Sequence, residues 1–338
     1  MISVSARRIV ARALGGDAVN VGALVAARRA CGSWRRLGEI LREERLAPLL
    51  AHRLRGLDFP ADRKFVAGLR ALAREVLAAN LLRWKSYEGL HRKLAAAGIP
   101  ALPIKGIDVA FASYPTPACR PMTDIDLLVA PESYKAAGDV LQREGFVPLP
   151  KEPRWWPART FGRPGEMVDL HWSPAAAAPP RRETASRTFR ENTKGSSDEF
   201  RLLVSVCHHQ NHFFSLPLLD YYETLLLAGR VSRPRYWSLA RRWGALRATR
   251  FVLALAQFFF GGRSAAGKFD ILKTLARPAF SGADVGRGRR AAAVYALSLD
   301  NPAAALAWSM RRPNWTRQIL TRGSSAKSFS MSKKEKAL

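Results

Sequence analysis

Cysteine is scarce in this chain, and its three copies do not form a framework. Cys31, Cys119 and Cys207 are odd in number and far apart within the 338 residues. They provide neither a set of disulfide pairs nor a CxxC metal pair. This excludes the class of small secreted proteins that disulfides hold together, and it favours a reducing compartment. We therefore expect a cytoplasmic protein.

Long apolar runs are also lacking. The longest run in the C-terminal half, residues 251–260, is short, whereas a helix needs about 20 apolar residues to cross a bilayer. No apolar segment with a cleavage site follows the arginines at positions 7 and 8. We therefore expect no membrane partner. Because 48% of the residues are hydrophobic, the chain can bury a core.

Acidic residues are few, with 27 against 55 basic ones and a net charge of +28. One interpretation is an acidic partner such as nucleic acid. The other is codon bias in a GC-rich genome, since 42 of the basic residues are arginine. Residues 224–338 hold 22 basic and four acidic residues, or +18 of the total. Any nucleic-acid contact is therefore expected through the basic C-terminal half.

The hydrophobic pattern predicts an α+β fold, in which a small mixed β-sheet is flanked by N- and C-terminal helices. The length favours about two domains at roughly 150 residues each. A loop rich in Ala, Pro, Arg and Ser over residues 173–197 has the composition of a linker. We expect disorder after residue 323. The predicted parts are an N-terminal helical region (1–98), a sheet core (99–175), a C-terminal helical region (198–262) and a basic, weakly structured extension with a disordered tail (263–338).

Short strands are predicted within the sheet core. A helix over residues 68–98 ends at Gly98, and Pro100 prevents its continuation. The apolar run 101–104 then reads as a buried strand that enters a turn at Lys105 and Gly106. Further strands are predicted over residues 122–129, 146–149 and 167–172, with a helix over 131–144.

The segment around Asp124 and Asp126 carries the main chemical signal. In a strand the two carboxylates share one face, while Ile125 and Leu127 share the other. Adjacent carboxylates repel each other unless a cation lies between them, and oxygen ligands suit Mg²⁺. A lone Asp-x-Asp is more often a solvated loop or edge strand, so its significance depends on the surrounding motifs.

A third acid lies in another predicted strand. Asp169 and His171 share one face there, and Val168, Leu170 and Trp172 share the opposite, core-facing one. Three carboxylates on neighbouring strands can hold two metal ions, which clamp a nucleoside triphosphate for in-line displacement. The order of strand, Lys-Gly turn, Asp-x-Asp strand and third acidic strand favours such a site over a chance pair of acids.

This ordered set of motifs resembles a known family. The motifs are Leu102-Pro-Ile-Lys-Gly, Tyr114-Pro, Arg120, Asp124-Ile-Asp-Leu-Leu-Val129, Gly145-Phe146 and Val168-Asp-Leu-His-Trp172. They resemble the uncharacterised nucleotidyltransferase family, which belongs to the DNA polymerase β-like nucleotidyltransferase superfamily. The strong similarity covers residues 94–172. Residues 202–227 are similar to the family's C-terminal helical part.

The resemblance implies roles for the three acids. Asp124 and Asp126 would bind the catalytic metals, Mg²⁺ or Mn²⁺. Asp169 would be the third metal-binding carboxylate and would help to activate the attacking group. The sheet core would then be the catalytic, nucleotidyltransferase part of the chain.

The resemblance also implies a nucleotide-binding side. Gly106 would let the backbone approach the triphosphate, and Lys105 and Arg120 would neutralise phosphate oxygens. The implied reaction moves a nucleoside monophosphate from an NTP to an unidentified acceptor, which is a small molecule, a peptide or protein, or RNA, and releases pyrophosphate. The alternative is a non-catalytic RNA-binding protein that retains a degenerate nucleotidyltransferase fold.

Two weaker signals remain open. His208 and His212 are four residues apart in a predicted helix and so share a face, with His209 beside them. This face is either structural and polar, or it contacts substrate or metal. The aromatic and arginine residues over 154–159 are predicted to form a loop that packs on the core, with base stacking as the alternative.

Overall fold

The architecture is α+β, as predicted, with a small mixed sheet between two groups of helices. The computed structural model describes residues 4–16, 19–57, 62–149, 157–175, 182–212 and 214–261. The predicted extension over residues 263–338, with its tail, lies outside the described residues. The four domain boundaries stay a prediction.

In the described part of the chain, five helices precede the sheet, and the last of them is the longest. They are α1 (Val4–Ala13), α2 (Val21–Cys31), α3 (Trp34–Glu43), α4 (Ala47–Arg53) and α5 (Arg63–Ala96). The side chain of Asp62 caps α5 by accepting from the Lys64 amide. Gly98 follows its end with a φ of +72°, which glycine adopts without a Cβ penalty. The predicted stop at Gly98 is therefore confirmed.

Among the residues that the structure describes, the sheet has five strands in the order β1-β2-β5-β4-β3. They are β1 (Ala101–Ile104), β2 (Ile125–Val129), β3 (Val147–Pro148), β4 (Ala158–Arg163) and β5 (Glu166–His171). Only the central pair, β2 and β5, runs parallel. The strand β4 was not predicted. It forms a hairpin with β5, so Arg159 lies in a strand and the loop prediction is wrong there. The other members of the predicted 154–159 loop that precede Pro157 lie outside the described residues.

The two faces of the sheet join different hydrophobic clusters. Ile125, Leu127, Val168 and Leu170 pack in one cluster with α5 and with α7 (Tyr134–Arg143). Their predicted core-facing positions are confirmed. Trp172 is an exception, because β5 ends one residue before it and its ring packs against the other cluster.

The second cluster lies against the opposite face of the sheet. It combines β1 and β2 side chains such as Leu102, Ile104 and Leu128 with residues of α1 to α4 and of the helices after the sheet. The later helices are α8 (Arg182–Asn192), α9 (Asp198–Asn211), α10 (Leu218–Ala228), α11 (Arg233–Arg242) and α12 (Leu246–Phe260). Helices from both ends of the described chain therefore share one core.

The predicted 173–197 linker contains α8, so that prediction is wrong for residues 182–192. Ala185 and Phe189 are buried four residues apart, and Arg187 bonds to Glu191 along the exposed side of the helix at 2.9 Å. These are the i,i+4 contacts that stabilise a helix despite a polar composition. Within the described residues, no helix has the length and apolar character needed to span a membrane.

Candidate active site

Two neighbouring strands place Asp126 and Asp169 side by side. The register of the parallel strands β2 and β5 pairs these two residues, and side chains in register on adjacent strands share one face of a sheet. On the other side, β1 pairs Ile104 with Asp126. The end of β1, and the Lys105 that follows it, therefore reaches the same point.

Asp124 lies just before β2 rather than inside it, because the strand begins at Ile125. It is nevertheless close enough for the charges of the other two acids to change its pKa. Burial, followed by the negative charges of Asp126 and Asp169, raises the pKa of Asp124 to about 6. The structure thus places Asp124 within electrostatic range of the other two predicted carboxylates, whereas the compact group of ligand atoms among the described residues joins Asp126 and Asp169 to His171.

Lys105 is the cation of this group. Its Nζ donates to Asp126 Oδ1 at 2.6 Å and lies 3.3 Å from His171 Nε2. Burial alone would lower the pKa of Lys105, but the charges of Asp126, Asp169 and Asp124 outweigh it and raise the pKa. The lysine therefore stays charged in a largely buried position.

The backbone of Lys105 has a strained conformation. Its φ is +54° and its ψ is −129°, a sparsely populated conformation for a residue with a side chain, which costs about 1–3 kcal/mol. The turn between β1 and α6 (Gly106–Ala112) holds this conformation. Strain of this kind persists where the surrounding structure over-determines it, typically at functional sites.

His171 shares a face of β5 with Asp169, as the strand alternation predicts, although no role was predicted for it. Its Nε2 lies 2.9 Å from Asp126 Oδ1. Among the described residues, ligand atoms of Asp126, Asp169 and His171 lie within 4.8 Å of one another and form the group that can hold a metal ion. The alternation of Asp169 and His171 in β5 was the available signal.

The ammonium of Lys105 and the contact with His171 dominate the environment of Asp126. Its burial by itself favours the neutral acid, but Lys105 and His171 outweigh this effect and hold the pKa of Asp126 well below its ordinary value. Asp169 receives one hydrogen bond from the side, since Thr160 Oγ1 on β4 donates to its Oδ1 at 2.6 Å. Thr160 gave no signal in the sequence, because β4 itself was not predicted.

We expect Asp124→Asn to stabilise the metal-free protein at neutral pH. The folded-state pKa of about 6 lies above the ordinary value of about 3.9 for aspartate. As pH rises between these values, the unfolded chain ionises first, so Asp124 removes stability from the folded state and keeps it removed at pH 7. The variant has no such loss.

The free energy of unfolding is measured by urea denaturation of wild type and variant, in the presence of a metal chelator, at about pH 5 and about pH 7. The gain in unfolding free energy should be larger at the higher pH. Asp139→Asn, at an exposed position on α7, is the matched control. A variant that is less stable than wild type at the higher pH would contradict the pKa argument.

Gly106 lies against a guanidinium group. A Cβ at this position would be 2.7 Å from Arg120 Nη1 and 3.0 Å from Met122 Cβ. A side chain would therefore displace one of them, and Arg120 is not free to move. The close approach of Arg120 explains why this turn position suits glycine.

Arg120 is buried in an ion pair with the helical part of the chain. Its Nε donates to Glu223 Oε2 on α10 at 2.7 Å, and both side chains are less than a tenth exposed. Its Nη2 lies 4.0 Å from Asp220 Oδ1, and its carbonyl accepts from the buried Asn80 amide at 2.8 Å. Arg120 therefore supports the turn from beneath. Glu223 was not predicted, and no local motif marks it.

The histidines of α9 have separate environments. His208 and His212 share a face, as predicted, with ring centroids 4.6 Å apart. Burial, followed by the charges of His212 and Lys105, lowers the pKa of His208 well below its ordinary value. His209 is fully buried and its Nε2 lies 3.1 Å from Thr224 Oγ1. His209 is thus structural, whereas His208 lies close enough to Lys105 for the lysine charge to lower its pKa.

The donor set of the site suits a divalent cation. Two carboxylates provide the hard oxygen ligands that Mg²⁺ and Mn²⁺ accept, and the imidazole of His171 adds a nitrogen.

Comparison with known protein families gives a match. The family described as uncharacterised nucleotidyltransferase matches residues 31–261, about two thirds of the chain. Comparison with curated proteins gives no match.

Proposed function

Because this chain belongs to the uncharacterised nucleotidyltransferase family, we propose that it transfers a nucleoside monophosphate from an NTP to an acceptor and releases pyrophosphate. One observation carries the proposal. Asp126 and Asp169 are in register on two adjacent strands, with Lys105 and His171 in contact with Asp126. A face with this pattern joins metal ligands to a phosphate-binding cation.

The three acids have the metal-binding role in this proposal. Asp124, Asp126 and Asp169 would hold the Mg²⁺ or Mn²⁺, whose charge would neutralise the oxygens of the triphosphate. The hydrogen bond from Thr160 fixes one oxygen of Asp169. That leaves the other carboxylate oxygen for the cation and for the attacking group of the acceptor.

The turn after β1 has the phosphate-binding role. Lys105 neutralises phosphate oxygens as a point charge, and Gly106 lets the backbone approach them. Arg120, ion-paired with Glu223, packs directly under the turn, where its Nη1 is adjacent to Gly106. A DNA polymerase β-like fold is part of this proposal.

The proposed reaction replaces one bond at the α-phosphorus by another. The acceptor oxygen forms a bond to the α-phosphorus of the NTP and loses its proton to a base at Asp169. The bond from the α-phosphorus to the oxygen that bridges to the β-phosphorus breaks, and pyrophosphate leaves. The acceptor is a small molecule, a peptide or protein, or RNA.

The test uses two positions of the label. Purified protein is incubated with Mg²⁺ or Mn²⁺, a cell extract and each NTP, labelled either at the α- or at the γ-phosphorus. Nucleotidyl transfer labels an acceptor from the α-labelled NTP alone and moves the γ-label into pyrophosphate. Acceptor labelling from the γ-position would indicate a kinase instead. Labelling from neither position would contradict the proposal.

Lys105→Ala should weaken NTP binding by about 10- to 100-fold. A hydrogen bond to a charged group is worth about 1.5–3 kcal/mol, and about 1.4 kcal/mol corresponds to a factor of ten. Calorimetry with a non-hydrolysable NTP and Mg²⁺ measures the loss. Lys85→Ala, at an exposed position on α5, should bind like wild type. Equal binding by both variants would remove Lys105 from the nucleotide site.

The RNA-binding alternative depends on the basic C-terminal half. Some of its arginines have structural partners: Arg230 donates to the carbonyls of Ala112 and Ser113, and Arg242 pairs with Glu191. Strong RNA binding that persists in Asp124→Asn, together with no NTP binding under any metal condition, would favour this alternative over the enzyme.

A further inference from the structure

Asp126 and His171 both direct a ligand atom at the same cation. That cation is the ammonium of Lys105, which lies 2.6 Å from Asp126 Oδ1 and 3.3 Å from His171 Nε2. With its proton on Nδ1, His171 presents a lone pair at Nε2. In that tautomer the 2.9 Å contact between His171 Nε2 and Asp126 Oδ1 is no longer a hydrogen bond, and both lone pairs face one cation, as two ligands face a metal ion.

The spacing of these two atoms fits a metal ion as well. Asp126 Oδ1 and His171 Nε2 are 2.9 Å apart. Two ligands at right angles on an octahedral ion, each at about 2.1 Å, lie about 3.0 Å from each other. The pair therefore already has the separation of neighbouring ligands. With the proton on Nε2 instead, the same 2.9 Å contact is a hydrogen bond, so an ion can replace the shared proton without a change in spacing. Asp169 offers a third ligand atom within reach.

We propose that His171 is a ligand of the catalytic cation, together with Asp126 and Asp169, and that the site prefers Mn²⁺ to Mg²⁺. Imidazole nitrogen binds Mn²⁺ better than Mg²⁺, which accepts oxygen ligands and keeps much of its water. This inference rests on the proposed function only in that it calls the bound cation catalytic. The ligand set itself does not depend on turnover.

Lys105 holds the two ligand atoms together until the ion enters. A divalent ion at this position would repel the ammonium from the Asp126 carboxylate, and the flexible stem of Lys105 would let the ammonium reach the triphosphate instead. Lys105 therefore competes with the metal when no nucleotide is bound. It assists the metal indirectly when a nucleotide takes up the displaced charge.

The first experiment needs no substitution. Wild-type protein is titrated with Mn²⁺ and, separately, with Mg²⁺ by calorimetry in the absence of nucleotide, and the Mn²⁺ complex is examined by electron spin-echo spectroscopy. We expect Mn²⁺ to bind at least about tenfold more tightly than Mg²⁺. We also expect modulation from one directly bound nitrogen. A Mn²⁺ complex without that modulation, equal affinities, or no Mn²⁺ binding would overturn the inference.

Three variants give the second experiment. His171→Asp supplies oxygen in place of nitrogen and should lose the nitrogen modulation and the preference for Mn²⁺. Lys105→Met should bind Mn²⁺ several-fold more tightly than wild type without nucleotide, because the competing cation is gone. His91→Ala, at an exposed position on α5, is the control and should match wild type. A His171→Asp variant that still prefers Mn²⁺ would contradict the role of His171.

The outcomes separate this inference from the proposed function. Nitrogen-bound Mn²⁺ without any nucleotidyl transfer would retain the ligand set and reject the enzyme. Nucleotidyl transfer with an all-oxygen metal complex would retain the enzyme and reject His171 as a ligand.

Discussion

Asp126→Asn is expected to abolish nucleotidyl transfer and to destabilise the protein. Amide oxygen is a weaker, uncharged ligand, and Asp126 lies at the centre of the site, in contact with both Lys105 and His171. Substitutions of residues that merely support a metal ligand already cost about 10- to 100-fold. The loss of a ligand should therefore reduce turnover by about 100-fold or more.

The stability effect follows from the buried charge. Repulsion between Asp124 and Asp126 alone would predict that the substitution stabilises the metal-free protein. The structure instead predicts that the substitution lowers the free energy of unfolding. The lowered pKa of Asp126 indicates that its attraction to Lys105 and His171 outweighs its repulsion of Asp124. The side chain of Lys105 is 16% exposed and so retains some hydration. A loss of about 1–3 kcal/mol is expected for a buried group that loses its partner.

Turnover with the α-labelled NTP and urea unfolding in a chelator are measured on the same preparations. Asp139→Asn removes one exposed carboxylate and should change neither quantity. If Asp126→Asn turned over like wild type, the metal-ligand role of Asp126 would have to be abandoned.

Arg120→Met is expected to cost about 3–5 kcal/mol of unfolding free energy. The substitution leaves Glu223 buried without its guanidinium partner, and the removal of one member of a buried ion pair is penalised by about this amount. It also removes the group that packs beneath Gly106. NTP affinity should therefore fall along with stability.

A double-mutant cycle assigns the stability loss to the pair. Arg120→Met combined with Glu223→Leu should be less destabilising than the sum of the single substitutions, because the double variant buries no unpaired charge. Arg230→Met is the control, since its guanidinium bonds to carbonyl groups rather than to a buried acid. Strict additivity in the cycle would show that Arg120 and Glu223 do not stabilise each other.

Local patterns were sufficient for much of the core. The helix end at Gly98 and the strand β1 follow from neighbouring residues, through a positive φ and a short apolar run. The alternation that places Ile125 and Leu127 opposite Asp126 has the same local origin. β4 was missed because its burial pattern is irregular, with Gly162 and Arg163 near its end. α8 was missed because its polar composition resembles that of a loop, although Phe189 is buried.

Periodicity is a local property of the chain. It placed Asp126, Asp169 and His171 on the correct faces of their own strands without knowledge of the sheet. Which of these groups meet depends on tertiary packing. The parallel register of β2 and β5, the contact of Lys105 with Asp126, and the Arg120–Glu223 pair across 103 residues of chain all join distant segments. Such contacts depend on how whole elements pack, because burial of a charge is tolerated only where another part of the chain supplies its partner.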